Sequence, residues 1–523
     1  MRIRVLSAAL ALGLSALAFA ATPPKVLVVA QVLDDLVSLD PAEGFELSSV
    51  QSFNSIYQRL VGSNPQKQTE IQGVLASSWK AGADGRSLTF TLKAGAVFAS
   101  GNPVRPEDVI WSLSRAVKLN KSPVFILNQL GWTADNVDAN LSKVSDTQVK
   151  VSWPAKVGSG FALSILSAPI ASIVDSVVAL THESSGDSAN LWLQTHSAGS
   201  GAFVIRTYTP HDSLILDANP KSPGGAPLLA GIILKNVPDA AARRLLVEQG
   251  DADIARDLGA DQIAALQGKT GLVVKTIPSS AVYYLALNAA NADNPVLKNP
   301  ALWEAARWLI DYNGIATKLL KGSWQVHQAF LPDGFPGALK ENPYKLDVAK
   351  AKAILAKAGL KDVAIKFTVF NQPPYQDIAA NLQSTFAQAG ITLNIESVVG
   401  SELYAKVRSR THEASFLFWI PDYFDAHSNA SFFAVNREDG NKTIAWRNGW
   451  VIPALSDKTQ SAVEAQDQNV RNKIYGEIQK EVRDTSPLIV GFQGTDQVAL
   501  RSNVKGYVQG LNADQVYFEK VSK

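Results

Sequence analysis

The chain has 523 residues, more than one hydrophobic core usually spans, so at least two lobes are expected. The 49 Lys and Arg residues nearly balance the 47 Asp and Glu residues and are dispersed along the chain, which argues against binding to nucleic acid. The absence of Cys excludes disulfides, a thiol nucleophile and a lipid-anchoring Cys.

The first 20 residues have the pattern of a secretory signal peptide. Arg2 and Arg4 precede the apolar stretch from Val5 to Leu17, which is too short to cross a bilayer. Ala18-Phe19-Ala20 supplies the small residues of a cleavage site. We expect residues 1–20 to be removed and the mature protein to be free in the compartment beyond the membrane. The alternative is an uncleaved membrane anchor.

Strands, helices and turns are predicted in a mixed order along the first part of the mature chain. Lys25 to Val32 predicts a buried strand, and Ser48 to Leu60 predicts a helix with one apolar face. The turn from Ala83 to Arg86, followed by the alternation from Leu88 to Leu92, predicts a hairpin. A further helix is expected from Pro106 to about Val117, because proline suits the first helical position.

Three amphipathic helices are predicted farther along the chain. The first runs from Asp239 to Gly250, with Leu245, Leu246 and Val247 facing inward, and the others run from Asp347 to Ala358 and from Asp377 to Ala389. Each of the last two is followed by a glycine, which is typical of a helix end.

Residues 416–433 combine carboxylates with a dense aromatic and apolar run. Phe416 to Trp419 predicts a short buried strand, and Asp422 to His427 is then the loop that leaves it. Loops at strand ends often bind ligands. A carboxylate there must face water or meet a cation, because an unpaired buried charge is costly. The alternative, an exposed loop in which Asp425 or Asn429 caps the next helix, stays open.

Several segments resemble the family 5 extracellular solute-binding proteins, the peptide and nickel receptors of ABC importers. Leu75 to Val109, LASSWKAGADGRSLTFTLKAGAVFASGNPVRPEDV, is similar to the family's LAxSW followed by DGxxxTFxLRxGVxFxxGxPxxAxDV. Later segments follow in family order: Gly199 to Phe203 resembles GTGPY, Asp251 to Ile254 resembles GxxDI, and Tyr284 to Asn288 resembles YLxFN. In the segment from Gly199 to Phe203, Ala and Phe replace the family's Pro and Tyr.

The resemblance implies an α/β fold of the two-lobe periplasmic-binding-protein type, a Venus flytrap with an extra subdomain in the first lobe. The implied divisions are 21–277 plus 486–523 for lobe 1, about 61–195 for its subdomain, and 278–485 for lobe 2. Turn-like breaks at Pro278 to Ser280 and at Thr485 to Pro487 agree with these divisions.

The resemblance also implies ligand-binding residues. Trp419-Ile-Pro-Asp422 matches a W-x-x-D element whose carboxylate pairs with the amino terminus of a peptide ligand. Trp419 and Tyr423 are then expected to wall the ligand, or alternatively to belong to the core of the lobe. Asp35 and Val37 are expected near the ligand's backbone, the alternative being a solvent loop.

One departure from the family concerns the ligand's carboxylate. Dipeptide-binding members tend to carry an Arg in the loop where this chain has Phe370 to Tyr375, which contains none. This puts strict dipeptide specificity in doubt. Arg408 and Arg410, upstream of the Trp419 strand, are the candidates that replace it.

Metal and catalytic sites are not expected. Asp422, Asp425 and His427 form a possible metal trio, but nickel-binding members lack an Asp at the W-x-x-D position. The chain has no H-E-x-x-H and no G-x-S-x-G motif, and Gly199-Ser-Gly201 does not fit the dinucleotide pattern. We therefore expect no metal, no cofactor and no catalytic residues.

We expect a monomeric periplasmic receptor that binds a peptide or related amino-containing solute and delivers it to an inner-membrane ABC permease, without inserting into the membrane. One alternative is a receptor of the same family for an opine-like conjugate, a sugar-linked compound or a nickel chelate. Another is an exported hydrolase using Asp422 and Asp425, which is disfavoured because neighbours three apart on one loop seldom oppose each other across a substrate.

Overall fold

The structure is a computed structural model that describes residues 22–64, 67–438 and 442–523. The predicted signal peptide, residues 1–20, lies outside the described residues. The strands are Val26–Gln31, Val61–Asn64, Lys67–Gly73, Ala76–Ala81, Ser87–Leu92, Leu141–Ser145, Gln148–Ser152, Phe203–Thr209, Ser213–Ala218, Gly231–Asn236, Ile254–Ala255, Leu272–Leu287, Trp324–Val326, Val363–Phe370, Ile391–Val398, Ala414–Trp419, Leu488–Arg501, Val508–Gln509 and Val516–Tyr517.

The α-helices alternate with strands between Gly231 and Phe433, and elsewhere several elements of one kind follow one another. The α-helices are Leu47–Ile56, Pro106–Leu119, Val124–Asn128, Ser159–Leu166, Ser176–Leu180, Asn190–Leu193, Ala240–Gln249, Ala260–Leu266, Pro300–Arg307, Val348–Lys357, Tyr375–Ala387, Gly400–Arg408, Ala426–Phe433, Ile444–Arg447, Pro453–Glu464 and Gln468–Thr485. Short 3-10 turns occur at Val137–Asn140, Pro169–Ala171 and Pro295–Lys298, and a π turn at Gly314–Leu319.

One mixed sheet of 11 strands runs through the molecule. Its centre is the antiparallel pair of long strands Leu272–Leu287 and Leu488–Arg501. Strands Ile254–Ala255 and Val26–Gln31 continue the sheet on one side, and strand Ala414–Trp419 continues it on the other. The two long strands are therefore shared by both halves of the sheet.

The buried side chains form separate cores on the two halves. Val282 and Phe492 are the first and last residues of one core, and its other buried residues lie between these two positions in the chain. We call the part of the molecule built on this core the second lobe. Val498 packs with Leu27 and Ile232 in the core of the first lobe. The pairing of the long strands is irregular between Pro278 and Val282, close to where their side chains pass from one core to the other.

A third core lies beside the first lobe and forms its subdomain. Phe90, Trp132 and Trp153 are buried there against the helix Pro106–Leu119. A separate sheet of 4 strands, which contains the strand Ser87–Leu92, supports this core. The subdomain thus has its own sheet and its own apolar interior.

Most of the predicted elements are confirmed. The strand Val26–Gln31 and the helix Pro106–Leu119 are present, and strands Ala76–Ala81 and Ser87–Leu92 form the predicted hairpin. The helices predicted at Asp347 and Asp377 are present as Val348–Lys357 and Tyr375–Ala387.

The helix predicted from Ser48 to Leu60 is shorter and ends at Ile56. The segment containing Gly199 and Gly201 crosses the end of this helix, and the Gly201 N–H donates to the Ile56 carbonyl at 3.0 Å. A Cβ on Gly199 would lie 2.1 Å from the same carbonyl oxygen. The close crossing uses the acceptor that the next helical turn would need.

The prediction that Leu245, Leu246 and Val247 all face inward is wrong for Leu245. Val247 is buried, whereas Leu245 is 46% exposed. Successive helical residues are separated by about 100°, since a turn contains about 3.6 residues, so three in a row cannot share one face. Arg243 is buried instead, and its Nε donates to the Arg256 carbonyl at 2.9 Å.

Candidate functional site

The site is built around the strand Ala414–Trp419, which has one edge that is mostly unpaired. One edge pairs along its whole length with Leu272–Leu287, which places Trp419 opposite Val282. On the other edge, Val363–Phe370 pairs only with Ala414 and Ser415. Beyond Ser415, no strand in the described ranges pairs with this edge.

The loop after this strand is shorter than predicted, because the next helix begins at Ala426. Asp425 is the N-cap and accepts the His427 N–H at 2.8 Å. The same carboxylate forms two charged hydrogen bonds with Arg471, at 2.8 and 3.0 Å. Asp425 therefore meets a cation and caps the helix, which accounts for its burial.

Asp422 has a different environment. Its backbone N–H donates to the Ser428 hydroxyl at 2.9 Å, but its Oδ2 is buried and, in the described part of the chain, has no hydrogen-bond partner. Asp422 is half-buried as a residue. Desolvation by burial raises the pKa of the Asp422 carboxyl to about 7. A buried acid without a partner is what a cationic ligand group requires.

Two cavities meet at Asp422. The first, about 190 Å³, is lined by Leu47 and Val50 from the first lobe and by Ile420 and Asp422 from the second. The second, about 260 Å³, lies within the second lobe and shares Ile420 and Asp422 with the first. The carboxylate thus lies where the space between the lobes continues into the second lobe.

Trp419 and Tyr423 lie on opposite sides of this loop. Trp419 lines the 260 Å³ cavity, and its Nε1 donates to Asn429 Oδ1 at 3.2 Å. Tyr423 is buried and lines neither cavity. Its hydroxyl donates to Gln129 Oε1 at 2.9 Å, and its ring packs edge-on against Phe161, 5.9 Å between centroids. Tyr423 therefore joins the second lobe to the subdomain.

Asp35 and Val37 are placed near the edge of the cleft. Asp35 accepts the Ser48 N–H at 3.2 Å, beside Leu47, which lines the first cavity. Val37 is 68% exposed and lines neither cavity. Asp35 is thus held at the start of the helix Leu47–Ile56, while the Val37 side chain points to the surface.

The structure separates the two candidate arginines. Arg408 lines the 260 Å³ cavity together with Asp422. Arg410 precedes the strand Ala414–Trp419, 4.5 Å over the ring of Trp446 and 3.6 Å from Glu438. Only Arg408 is brought to the cavity of Asp422.

The second cavity contains one more charged residue, Arg447, which the sequence analysis missed. Arg447 ends the short helix Ile444–Arg447, 25 positions after Asp422, in a segment without a recognisable motif. The loop that carries Asp422 and this helix come together only in the folded protein.

The possible metal trio is not assembled. His427 is buried, and its Nδ1 lies 3.1 Å from the Tyr475 hydroxyl. Desolvation lowers the pKa of His427 to about 4. Within residues 22–64, 67–438 and 442–523, no group of three or more His, Asp or Glu side chains is placed to hold a metal ion. The same residues contain no helix with the length and apolar character needed to cross a membrane.

Known proteins similar to this chain are described as peptide-binding proteins. The probable D,D-dipeptide-binding periplasmic protein of Escherichia coli strain K12 is 30% identical over 514 residues, which cover 96% of this chain and 94% of the relative. The dipeptide-binding protein of the same strain is 23% identical, covering 89% of this chain and 88% of the relative.

A solved structure confirms the predicted two-lobe fold. The DppA periplasmic binding protein of Helicobacter pylori, in complex with the peptide STSA, superposes with a TM-score of 0.77 at 22% identity. The match covers 95% of this chain and 98% of that protein. The family model of the bacterial extracellular solute-binding proteins, family 5 middle, matches residues 70–441. The chain therefore belongs to family 5 of the bacterial extracellular solute-binding proteins, whose members are transport receptors and not enzymes.

Proposed function

We propose that the protein binds a short peptide, or a related solute with a free amino group, between its lobes and delivers it to an inner-membrane ABC permease. Asp422 carries this proposal, because it lines both cavities and its buried Oδ2 has no hydrogen-bond partner among the described residues. The relatives named above, which bind dipeptides by their descriptions, support the peptide as the solute class.

An α-ammonium group suits Asp422 physically. Enclosed between the lobes, the ammonium loses its water and needs a fixed anion, and Asp422, which lines both cavities, provides one. The ligand cation also removes the cost of ionising a desolvated carboxyl. Binding is therefore coupled to the ionisation of Asp422.

The open edge of the strand Ala414–Trp419 supports an extended ligand. Between Phe416 and Trp419, alternate residues direct their backbone N–H and C=O groups to that edge, where we propose that a peptide main chain is added as a further strand. Main-chain hydrogen bonds do not depend on side chains. We therefore propose broad tolerance of ligand side chains.

The lobe divisions, 21–277 plus 486–523 and 278–485, stay a prediction. Core packing supports a refinement of the return crossing, since Leu488 and Phe492 pack in the second lobe and Val498 packs in the first. We place the return between Phe492 and Val498, opposite the irregular pairing at Pro278. The proposed lobe movement takes place about these two crossings.

The cellular setting follows from the family and from the predicted signal peptide. The E. coli relative described above is periplasmic, and we propose that this chain is exported by a cleaved leader, residues 1–20, to act there as a monomer. Release of the solute unchanged to a permease then completes its role.

The experiment is calorimetric titration with alanyl-alanine in L,L and D,D forms, each with a free or an acetylated amino group. The wild type is expected to bind a free-amino form and to reject the acetylated one. Asp422→Asn should lose at least about thirtyfold in affinity, since one partner of a buried charge pair is removed. Asp146→Asn, whose side chain is 95% exposed, is the matched control and should bind as the wild type does.

Two outcomes contradict the proposal. One is equal binding of acetylated and free-amino peptides, and the other is unchanged affinity in Asp422→Asn. Absence of binding by every peptide would leave the non-peptide solutes of the family, which mass spectrometry of the natively purified protein would then identify.

A further inference from the structure

The 260 Å³ cavity that contains Asp422 also contains two cations. Arg408 comes from the end of the helix Gly400–Arg408, and Arg447 comes from the end of the helix Ile444–Arg447. Tyr284 and Leu417, which face each other across neighbouring strands, form part of the apolar wall. The cavity thus joins a carboxylate and two guanidinium groups through an apolar surface.

Arg447 differs from the other enclosed arginines of the second lobe. Arg471 pairs with Asp425, and Arg483 pairs with Asp484. Arg307 donates to the Arg483 carbonyl at 2.6 Å. Arg447 is half-buried, its Nε is buried without a hydrogen-bond partner, and no carboxylate of the described chain forms an ion pair with it.

The charges around Arg447 favour an anion. Burial lowers the pKa of the Arg447 guanidinium, and the neighbouring Arg408 cation lowers it as well, although the Tyr284 phenol opposes them. Two cations that face one space repel each other, and an anion placed between them removes the repulsion. A carboxylate suits the planar guanidinium, which can donate two parallel hydrogen bonds to it.

We propose that Arg447 binds the carboxylate of the solute, with Arg408 beside it, while Asp422 binds the amino group. This inference rests on the proposed function and narrows it to a zwitterion of dipeptide size. It assigns the carboxylate-binding cation to the helix Ile444–Arg447 and not to the loop Phe370–Tyr375, which has no Arg.

The size of the cavity agrees with a small solute. Its 260 Å³ lies just below the range of about 300–1,000 Å³ that is typical of ligand pockets. We place a solute of dipeptide size there, with one charged end at Asp422 and the other at Arg447, because both residues line this cavity. A longer peptide has to carry its carboxylate out of the cavity, away from Arg447.

The test compares alanyl-alanine with its carboxy-terminal amide, in the chirality that the wild type binds better, by calorimetry. The wild type should prefer the free acid by at least about tenfold, because the amide leaves Arg447 unpaired. Arg447→Gln should bind the acid as weakly as it binds the amide, with its affinity for the amide unchanged. Arg447→Lys should keep a reduced preference for the acid, since the charge remains without the planar fork.

Arg206→Gln is the matched control, because Arg206 is an exposed arginine paired with Asp217 in the first lobe. It should keep the wild-type preference. A thermal melt of each variant checks that the fold is intact, and Arg447→Lys provides the comparison if Arg447→Gln is unstable.

The inference is overturned if the wild type binds acid and amide equally, or if Arg447→Gln weakens both to the same extent. Either result contradicts only the role of Arg447. The proposed function is still supported if acetylation of the peptide's amino group prevents binding. If neither the acid nor the amide binds to the wild type, the proposed function fails as well.

Discussion

Asp422 and Asp425 are three positions apart and have opposite roles. Asp425 is neutralised by Arg471 and caps a helix, so its charge is used within the fold. Asp422 lines two cavities, and its Oδ2 has no hydrogen-bond partner in the part of the chain that the structure describes. The buried charge of Asp425 stabilises the fold. The burial of Asp422, by contrast, lowers the stability of the ligand-free protein and leaves a carboxylate that a ligand cation can pair with.

Asp422→Asn is expected to stabilise the ligand-free protein at neutral and higher pH. The Asp422 carboxyl has a folded-state pKa raised to about 7, so the folded protein binds more protons than the unfolded chain between about pH 4 and pH 7. The free energy of unfolding of the wild type therefore falls as pH rises from about 4 to 7. The asparagine variant has no carboxyl at this position, so its free energy of unfolding does not fall for this reason. Urea unfolding at pH 8 should show a gain of at least about 1 kcal/mol.

The gain should disappear by about pH 3, where the Asp422 carboxyl is neutral in both the folded and the unfolded states. A variant that is less stable than the wild type at pH 8 would mean that Asp422 has a partner in the folded protein.

Asp425→Ala is expected to be strongly destabilising. It leaves the Arg471 guanidinium buried without its carboxylate, which costs about 3–5 kcal/mol, and it removes the N-cap of the helix Ala426–Phe433. Urea unfolding at pH 7 measures the loss, with Asp146→Asn as the neutral control. A change below about 1 kcal/mol would show that the pair is not formed in solution.

Single residues were predictable where a local rule applies. The W-x-x-D match singles out Asp422, and the capping alternative for Asp425 follows from its position before a helix. Arg447 and the partner of Tyr423 were not predictable, because nothing near them in the chain indicates their neighbours. The hydroxyl of Tyr423 reaches Gln129, a residue 294 positions away.

At the scale of elements, the strand Ala414–Trp419 was predicted from its apolar run, but its open edge was not. Which edge is free depends on how far Val363–Phe370 pairs with it, and that pairing ends at Ser415. Local sequence specifies the strand and its buried faces, whereas its neighbours in the sheet are fixed by distant segments.

The end of the helix Leu47–Ile56 is a second case of a distant segment overriding local pattern. Gly199→Ala is expected to destabilise the protein by about 1–3 kcal/mol, because its Cβ would meet the Ile56 carbonyl oxygen at 2.1 Å. Thermal or urea unfolding measures this loss.

Gly160→Ala is the matched control. Gly160 lies in the helix Ser159–Leu166, and an added Cβ has its nearest neighbour at 3.9 Å. This change should be neutral or stabilising by up to about 1 kcal/mol. Equal effects of the two substitutions would contradict the crowding at Gly199.

For the whole molecule, two long strands join the lobes, and a second set of contacts lies beside the loop of Asp422. Tyr423 packs into the subdomain core, Ser164 Oγ lies 3.4 Å from Asp425 Oδ2, and the Gly158 N–H donates to the Val463 carbonyl at 3.0 Å. Contacts of this kind favour the arrangement in which the lobes meet, and a ligand held by both lobes adds to them.

Tyr423→Phe is expected to weaken solute binding by about threefold to tenfold without touching the solute. It removes the hydrogen bond between the lobes to Gln129, which is worth about 0.5–1.5 kcal/mol, and so lowers the population in which the lobes meet. Calorimetry measures the affinity, and small-angle scattering should show a larger radius of gyration for the ligand-free variant. An unchanged affinity and radius would show that this contact does not influence closure.

The two-lobe division at this scale was predictable from chain length and from the ordered family segments. The exact path was not, because the turn-like break at Thr485 to Pro487 comes before the strand Leu488–Arg501, whereas its side chains change core only between Phe492 and Val498, across the polar run from Gln493 to Gln497.

The most direct measurement of the central claim is the affinity for a free-amino dipeptide across pH, for the wild type and for Asp422→Asn. The Asp422 carboxyl, with a pKa raised to about 7, must ionise to pair with the ammonium, so wild-type affinity should fall up to about tenfold per pH unit below 7 and binding should release protons there. Above about pH 8 the affinity should fall again as the ligand's amino group loses its proton. Asp422→Asn should bind weakly with no dependence on pH below 7, and a wild-type affinity that stays constant from pH 5 to pH 7 would contradict the pairing of Asp422 with the solute.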